Sequence, residues 1–314
     1  MKILLTGGCG YVGTRLTEAL LERGYEVDVV DAQWFGNKLP EHKNLRIFKI
    51  DVRDHDDVPF DNVDVVMHLA NVANDPCVEL DPKLSWEVNA LGTMKLADNA
   101  VRAGVKQFIF ASSGSVYGVS DEPQVTEELK LEPISEYNKT KMVAERVLLS
   151  YGDKMIIQCV RPGTVCGFSP RMRLDLAVNM LTIQAVKNGE ITVFGGDQIR
   201  PAIHIDDMIK VYLHMLDNGS RLSGVFNASH ENISIKDLAE TIAARTGAKI
   251  TIKESDDPRS YRMNSDKLIG TGFVFSKTVS DAISEVAQAY KDGDIVDEDN
   301  CYNVKWMKKT ICKV

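Results

Sequence analysis

Residues 6–13 read Thr6-Gly7-Gly8-Cys9-Gly10-Tyr11-Val12-Gly13, and this glycine-rich stretch decides the fold. An apolar strand at residues 2–7 leads into the glycines, and a helix predicted from Tyr11 to Arg23 follows them. Glycines permit the tight turn, the close approach of a pyrophosphate to the backbone, and the packing of helix on strand. The N–H groups at the helix start then face the phosphates. The stretch predicts a dinucleotide site formed by Gly7, Gly10, Tyr11, Val12 and Gly13.

Two acidic positions further along the chain extend this prediction. Asp31 closes the second predicted strand, about 20 residues beyond the last glycine, where such sites place the acid that holds the adenosine ribose. A carboxylate there repels a 2′-phosphate, so the predicted cofactor is NAD rather than NADP, and a simple turn residue is the less favoured interpretation. Asp51 and Val52 follow the third predicted strand, where a contact with the adenine is expected, although Asp51 also suits a helix N-cap.

Strands and helices alternate through the first half of the chain. Strands are predicted at 25–30, 45–50, 63–68, 106–111 and 155–161, and helices at 83–103 and 136–151. This rhythm is typical of a parallel sheet covered by helices on both faces, the doubly wound α/β or Rossmann fold. It loosens after residue 161 into helices at 174–187, 206–216, 235–245 and 279–290, with short strands at 191–194 and 224–227. We expect an NAD-binding domain over residues 1–168. A smaller mixed α/β lobe over residues 169–314 is expected to hold the substrate and to be partly interleaved with the sheet.

Composition narrows the class of protein. Among 314 residues the formal net charge is −8, which argues against general binding to nucleic acid or to a membrane surface. No apolar run reaches transmembrane length, and the first residues read as a strand rather than a signal peptide. The six cysteines are scattered without metal-ligand spacing, so free thiols, a cytoplasmic location and no bound metal are expected.

A tyrosine and a lysine stand one helical turn apart at Tyr137 and Lys141. Residues four apart share a helix face, and an ammonium lowers the pKa of a nearby phenol, which is ordinarily about 10. Such a phenol is suited to take the proton from a substrate hydroxyl. Ser113 follows the fifth predicted strand, at the carboxyl edge where ligands of parallel sheets bind, and is expected to hold the reacting oxygen. Turn chemistry is the alternative for Ser113.

Further motifs appear in a fixed order along the chain. The motifs are Asp51-Val52, His68-Leu69-Ala70-Asn71, Val88-Asn89-Ala90-Leu91-Gly92-Thr93, Ser112-Ser113-Gly114-Ser115-Val116-Tyr117-Gly118, Tyr137 with Lys141, Arg161-Pro162-Gly163 and His204-Ile205-Asp206-Asp207. Together with the glycine-rich stretch and Asp31, these motifs make the sequence resemble the extended short-chain dehydrogenase/reductases over about residues 1–290. The resemblance is to the nucleotide-sugar epimerase/dehydratase branch in particular.

The resemblance implies roles for individual residues. Tyr137 is the general base, Lys141 binds the nicotinamide ribose and tunes Tyr137, and Ser113 hydrogen-bonds the reacting oxygen. Leu69, Ala70 and Asn71 line the cofactor, and Asn89 supports the site. The implied contacts with a nucleotide-diphosphate sugar are Ser115, Thr164, Arg200 and Arg259. Many relatives have asparagine where Thr164 stands, which puts one diphosphate contact in doubt.

Other positions are interpreted more plainly. For Arg171 and Arg173 two interpretations stay open, a contact with a diphosphate or only solvated surface charge. Trp34 and Phe35 either flank the adenosine or pack a loop. His68 and His204 are interpreted as structural histidines, because no third metal ligand is evident. No role is predicted for the tail from Asp292 onward.

The resemblance also orders the possible reactions. We expect NAD-dependent oxidation at C4 of the sugar, first as a 4-epimerase. The alternative is a nucleotide-sugar 4-dehydrogenase that releases a 4-keto sugar, as in cell-surface polysaccharide synthesis. A 4,6-dehydratase is disfavoured, because the dehydratases carry an Asp-Glu pair where Gly114 and Ser115 stand. A non-catalytic NAD(H) sensor is also disfavoured, because the Ser113, Tyr137 and Lys141 set is intact. The apolar faces of the helices at 84–103 and 136–151 imply a homodimer through a four-helix bundle, unless they only cover the sheet.

Overall fold

A computed structural model describes residues 1–120, 122–254 and 260–311. Its strands are β1 Lys2–Thr6, β2 Glu26–Val30, β3 Leu45–Phe48, β4 Val65–His68, β5 Gln107–Ala111, β6 Ile156–Pro162, β7 Thr164–Cys166, β8 Glu190–Phe194, β9 Ile199–His204, β10 Gly224–Ala228, β11 Glu231–Ser234 and β12 Lys249–Lys253. Its helices are α1 Tyr11–Glu22, α2 Asp75–Val78, α3 Pro82–Trp86, α4 Thr93–Ala103, α5 Glu136–Leu149, α6 Ala177–Asn188, α7 Ile205–Asp217, α8 Ile235–Thr246, α9 Asp266–Ile269, α10 Val279–Asp292 and α11 Asn303–Thr310.

Seven parallel strands form the main sheet in the order β10-β6-β5-β4-β1-β2-β3. The chain winds outward in one direction through β1, β2 and β3, and in the other direction from β4 onward. The direction of winding reverses between β1 and β4, which pair from Ile3 with Val65 to Thr6 with His68. A crevice at the carboxyl ends of the strands opens at such a reversal, and it is where ligands bind in this architecture. The predicted doubly wound fold is therefore confirmed.

The sheet is buried on both faces. Ile3 and Leu5 face a core shared with α1 and α7, whereas Leu4 faces the core shared with α4 and α5. Alternate side chains of a strand point to opposite faces, so a strand buried on both faces reads as a continuous apolar run. This explains why residues 2–7 show no polar alternation.

The remaining strands form two small sheets in the C-terminal part of the chain. One has the order β11-β9-β7, and the other pairs β12 with β8. β10 instead completes the main sheet beside β6, although it lies well beyond residue 168. The division of the chain at residue 168 stays a proposal. Within the described ranges, none of the helices has the length and apolar character that crossing a membrane requires.

The sequence prediction differs from the structure in several elements. The helix predicted over 83–103 is interrupted by a π-helical turn at Glu87–Gly92 between α3 and α4. The short strands β7, β9, β11 and β12 and the helices α2, α9 and α11 were not predicted. Four of them, β7, β11, α2 and α9, have only three or four residues and are too short to show a clear hydrophobic period. Short elements depend on tertiary packing for their stability.

Candidate active site

The glycine-rich turn has the geometry of an anion-binding helix start. Gly7 has a φ of +75°, in the left-handed region, and a Cβ on Gly13 would overlap the Gly7 carbonyl oxygen. Helix α1 begins after Gly10 without a side-chain cap. Because the first N–H groups of a helix have no intrahelical acceptor, they are open to a ligand here.

Asp31 lies beside this turn at the end of β2. Its carboxylate accepts the Cys9 N–H at 2.9 Å and the Gln33 N–H at 2.7 Å. Burial raises the pKa of Asp31, and the two amides oppose this rise. The two hydrogen bonds hold the carboxylate of Asp31 in place beside the glycine-rich turn.

Asp51 is held by a different residue. Its carboxylate accepts the N–H of Arg53 at 3.0 Å, and the Arg53 guanidinium pairs with the same carboxylate at 2.9 Å.

One cavity of about 410 Å³ extends from this turn along the carboxyl edge of the sheet. Most of the residues predicted from the sequence line it, namely Gly7, Gly10, Tyr11, Val12, Gly13, Asp31, Asp51, Val52, Leu69, Ala70, Asn71, Ser113, Ser115, Tyr137, Lys141, Thr164 and Arg200. The fold thus brings together positions spread over most of the chain. Arg259 lies outside the described residues.

Asn89 is the exception among the described positions, because it lies behind the cavity wall. Its side chain is buried, accepts the Val72 N–H at 2.7 Å and donates to the Thr140 hydroxyl at 3.1 Å. It belongs to the π-helical turn. Asn89 thereby joins the loop after β4 to helix α5, and it supports the cavity without lining it.

Ser113 follows β5 and caps a short 3₁₀ turn, Gly114–Tyr117. Its Oγ lies 2.7 Å from the Oγ of Ser115, so the two hydroxyls form one hydrogen-bonded pair facing the cavity. Ser112 points the other way and donates to the buried carboxylate of Glu145 at 2.8 Å. Of the two adjacent serines, only Ser113 is therefore available to a ligand.

Tyr137 and Lys141 share one face of α5, as their spacing predicts. Burial raises the pKa of Tyr137 to about 12, while hydrogen bonding with Ser113 and the positive charge of Arg173 oppose the rise. The Lys141 ammonium donates to the Ala111 carbonyl at 2.9 Å, and burial lowers its pKa to about 7. The roles expected for Lys141, binding the nicotinamide ribose and tuning Tyr137, stay predictions. The interactions that lower the pKa of Tyr137 in this structure come from Ser113 and Arg173.

The interpretation of Arg171 and Arg173 as solvated surface charge was wrong. Arg171 is only 6% exposed, and both arginines line the cavity. Arg173 pairs with Asp175 through contacts of 2.9 and 3.1 Å, whereas Arg171 donates to the Asn303 side chain at 2.7 Å. Their burial depends on the distant elements that cover them, and the local sequence does not show it.

The C-terminal segment also reaches the cavity. Trp34 and Phe35 line the cavity near Asp31, and the Trp306 indole N–H donates to the Trp34 carbonyl at 2.6 Å. Asn303 lines the cavity at the start of α11. Sequence reasoning missed this contribution because the segment after residue 292 has no clear hydrophobic period.

Two of the predicted substrate positions lie on one of the small sheets, at the cavity. Thr164 and Arg200 stand on the neighbouring strands β7 and β9. Tyr261 lines the same wall, and the positive charge of Arg200 lowers its pKa against a larger rise caused by burial. Three polar groups therefore converge on one wall of the cavity.

A buried ion pair supports the Ser112–Ser113 turn from behind. Arg161 binds Glu145 through Nε at 2.9 Å and also through its terminal nitrogen, and it donates to the Tyr117 hydroxyl at 2.6 Å. Tyr117 in turn donates to Asn227 on β10 at 2.8 Å. This network ties β6, α5 and β10 to the turn that carries Ser113.

His204, Asp206 and Glu285 converge in a way that the sequence did not reveal. The Asp206 N–H donates to His204 Nδ1 at 3.1 Å, so a neutral His204 carries its proton on Nε2, which lies 3.0 Å from a Glu285 oxygen. Arg15 pairs with Asp206 at 2.9 Å. An N–H therefore already occupies His204 Nδ1, and a cation already pairs with Asp206.

Comparisons with known proteins agree with this arrangement. A family model described as "NAD dependent epimerase/dehydratase family" matches residues 3–229. A UDP-glucose 4-epimerase of Lactobacillus helveticus is 27% identical over 301 residues, covering 85% of this chain and 89% of that protein. A UDP-glucuronic acid decarboxylase 1 of Xenopus tropicalis is 29% identical over 273 residues, covering 82% of this chain and 64% of that protein. The solved UDP-glucose 4-epimerase of Thermus thermophilus in complex with NAD has the same fold, with a TM-score of 0.81 and 24% identity, covering 93% of this chain and 99% of that one.

Proposed function

The chain belongs to the NAD dependent epimerase/dehydratase family, and we propose that it oxidises a nucleotide-diphosphate sugar at C4, acting as a 4-epimerase. The observation that carries the proposal is that Ser113, Tyr137 and Lys141 line the same cavity as the glycine-rich turn. A proton acceptor, an oxygen-binding group and a dinucleotide site are thereby combined in one space.

The cofactor we propose is NAD. The uncapped start of α1 suits its diphosphate, and the fixed carboxylate of Asp31 suits a ribose diol and repels a 2′-phosphate. The side chains of Leu69, Ala70 and Asn71 line the cavity at the end of β4. NAD supplies the hydride acceptor, and the residues of this chain bind, orient and move protons.

The proton step belongs to Tyr137 in this proposal. The substrate hydroxyl hydrogen-bonds to Ser113, and the phenolate form of Tyr137 accepts its proton as the C4 hydride leaves. Ser113 and Tyr137 line the same cavity, and interaction with Ser113 lowers the pKa of Tyr137, so the proposal places the substrate oxygen between these two groups. Lys141, whose ammonium donates to the Ala111 carbonyl, is the proposed contact with the nicotinamide ribose. Ser115, Thr164, Arg200 and Arg259 are the proposed contacts with the nucleotide sugar.

Steric limits at Gly114 argue against a 4,6-dehydratase. A Cβ on this residue would overlap Met263 Cε and would lie 2.9 Å from the Pro162 carbonyl oxygen. An aspartate at this position does not fit without displacing backbone. The acid needed for loss of water therefore has no place directly after Ser113.

The main alternative is a nucleotide-sugar 4-dehydrogenase that releases a keto sugar, since both reactions use the same three residues. Purified enzyme incubated with a panel of nucleotide-diphosphate sugars separates them by NADH absorbance and by chromatography of the sugars. A 4-epimerase interconverts two sugars without net NADH. Stoichiometric NADH with a keto sugar would overturn epimerisation in favour of the dehydrogenase.

A variant of the base tests whether the chain is an enzyme or an NAD(H) sensor. Tyr137→Phe is expected to abolish turnover and to leave NAD binding intact, because the phenol oxygen is the proton acceptor. Tyr25→Phe, outside the cavity, is the matched control and is expected to keep full turnover. Unchanged turnover in Tyr137→Phe would contradict the assigned base.

We also propose a cytoplasmic homodimer. An apolar groove lies on the outer faces of α3, α4 and α5, lined by Trp86, Leu91, Met94, Val143 and Val147 among others, and Leu91 is 48% exposed. A second copy of the same face would cover it as a four-helix bundle. Sedimentation is expected to show a dimer that Leu91→Arg converts to a monomer, and a wild-type monomer would refute the proposal.

A further inference from the structure

Arg171 carries a buried charge that the protein leaves partly unsatisfied. The side chain is 6% exposed, and among the described residues no carboxylate lies within ion-pair distance of its guanidinium. Its Nε has no hydrogen-bond acceptor in the described part of the chain. Burial and the positive charge of Arg173 lower the pKa of Arg171 to about 10, against the opposing effect of Asp175 and Asp31. A buried arginine of this kind is costly unless an anion completes its environment.

The position of Arg171 in the cavity indicates which anion completes its environment. Its guanidinium lies over the Phe35 ring, 4.1 Å from the ring centre, in the part of the cavity next to Asp31. Two hydrogen bonds join the segment before Arg171 to the start of α1. The Ser169 hydroxyl donates to the Tyr11 carbonyl at 2.7 Å, and the Tyr11 hydroxyl donates to the Gly167 carbonyl at 2.7 Å. Arg171 therefore belongs to a segment fastened to the glycine-rich turn.

The C-terminal segment fixes Arg171 from the other side. Asn303 accepts a hydrogen bond from the guanidinium, and its own backbone N–H donates to Asp175 at 3.1 Å. Trp306 anchors the same segment to the loop after Asp31 through the Trp34 carbonyl. These C-terminal contacts lie outside residues 3–229, which the family model matches.

We propose that Arg171, oriented by Asn303, binds the diphosphate of the adenosine half of the dinucleotide, opposite the N–H groups of the glycine-rich turn. This proposal rests on the proposed cofactor site. Arg171 supplies the charge that the backbone amides lack, and its planar guanidinium can offer two parallel N–H donors to phosphate oxygens. The C-terminal segment thereby becomes a structural part of cofactor retention.

The test measures binding of adenosine, AMP, ADP and NAD to the full-length protein freed of co-purified nucleotide, by titration calorimetry. Arg171→Met keeps much of the side-chain volume and removes the charge. It is expected to weaken ADP and NAD binding roughly 10- to 100-fold, as for a lost charge-assisted hydrogen bond, and to leave adenosine binding within about twofold. Arg171→Lys is expected to recover part of the ADP affinity, because the charge returns without the fork.

Asn303→Asp tests the positioning role. A carboxylate at 303 would pair with Arg171 and compete with phosphate, so ADP affinity is expected to fall while adenosine affinity holds. Lys308→Met removes an exposed cation from the same helix and is expected to change neither affinity. Melting temperatures and circular dichroism of each variant separate loss of binding from loss of fold.

The possible failures are distinguishable. If wild-type protein binds neither ADP nor NAD, the proposed cofactor itself is wrong. If wild type binds both and Arg171→Met binds ADP as wild type does, the inference about Arg171 is refuted alone. Equal losses for adenosine and ADP would also overturn it, since Arg171 would then only pack against the adenosine.

Discussion

The buried pair of Arg161 and Glu145 allows a stability prediction of definite size. Their side chains are 4% and 2% exposed, and the pair also connects Ser112 to Tyr117. Arg161→Met would leave the Glu145 carboxylate buried with the Ser112 hydroxyl as its remaining hydrogen-bond donor among these groups. Breaking a buried pair in this way costs about 3–5 kcal/mol. We expect the free energy of unfolding to fall by that amount.

Removing both charges should cost less than removing one. Glu145→Leu combined with Arg161→Met eliminates the uncompensated carboxylate. It leaves the hydroxyls of Ser112 and Tyr117 with one hydrogen-bond partner fewer, and each lost hydrogen bond lowers the free energy of unfolding by about 1 kcal/mol. The double variant is therefore expected to be more stable than Arg161→Met alone by about 1–3 kcal/mol. This sign is the distinctive part of the prediction, because independent sites would add their losses.

Urea unfolding followed by far-ultraviolet circular dichroism measures these differences. Arg23→Met is the control, because Arg23 pairs with Asp217 at 2.8 Å but is 40% exposed, and an exposed pair contributes about 0–1 kcal/mol. If Arg161→Met loses less than about 1 kcal/mol, the pair is not the buried charge network described. Additive losses in the double variant would refute the explanation by an uncompensated charge.

Two further predictions concern the main sheet and its first turn. Burial, aided by the Lys141 charge, lowers the pKa of His68 to about 3, so below about pH 6.5 the unfolded chain binds a proton that the folded chain does not. The free energy of unfolding should therefore fall with decreasing pH, and His68 should contribute about 1.4 kcal/mol per pH unit to this fall. Urea unfolding at several pH values should show a weaker dependence of the unfolding free energy on pH for His68→Leu. An identical pH dependence in the variant and the wild type would contradict the assignment. Gly13→Ala should lower the free energy of unfolding by about 1–3 kcal/mol and weaken NAD binding, because its Cβ would overlap the Gly7 carbonyl oxygen. Gly152→Ala is the control and should leave NAD binding unchanged. If calorimetry shows that Gly13→Ala binds NAD as tightly as the wild type does, the close-approach argument is refuted.

Much of the site was predictable because its geometry is local. The strand, turn and helix around Gly7 follow from a few consecutive residues, and Tyr137 and Lys141 share a helix face through their spacing alone. The carboxyl ends of parallel strands meet at one edge, which is why Asp31 and Ser113 could be placed together from the sequence. The order of these motifs also identified the family, which the match over residues 3–229 confirms.

Burial and electrostatic environment were not predictable in the same way. The tuning of Tyr137 by Lys141 stays a prediction, and the sequence did not show that the Lys141 ammonium donates to the Ala111 carbonyl or that the positive charge of Arg173 lowers the pKa of the phenol. Asn89 was expected to support the site, but its hydrogen bonds with the Val72 N–H and the Thr140 hydroxyl were not evident from the sequence. Each of these outcomes depends on which distant backbone atom comes within hydrogen-bonding distance.

By itself the sequence determined the doubly wound sheet, the dinucleotide turn and the three residues proposed for catalysis, because periodicity and short spacings encode them. Only the tertiary structure decided that Arg171 and Arg173 face the cavity and that the segment from Asn303 to Trp306 fastens one of its walls. An arginine in a loop shows no signal of burial until the elements that cover it are in place. The desolvation of its charge, and therefore its need for an anion, is a property of the packed molecule.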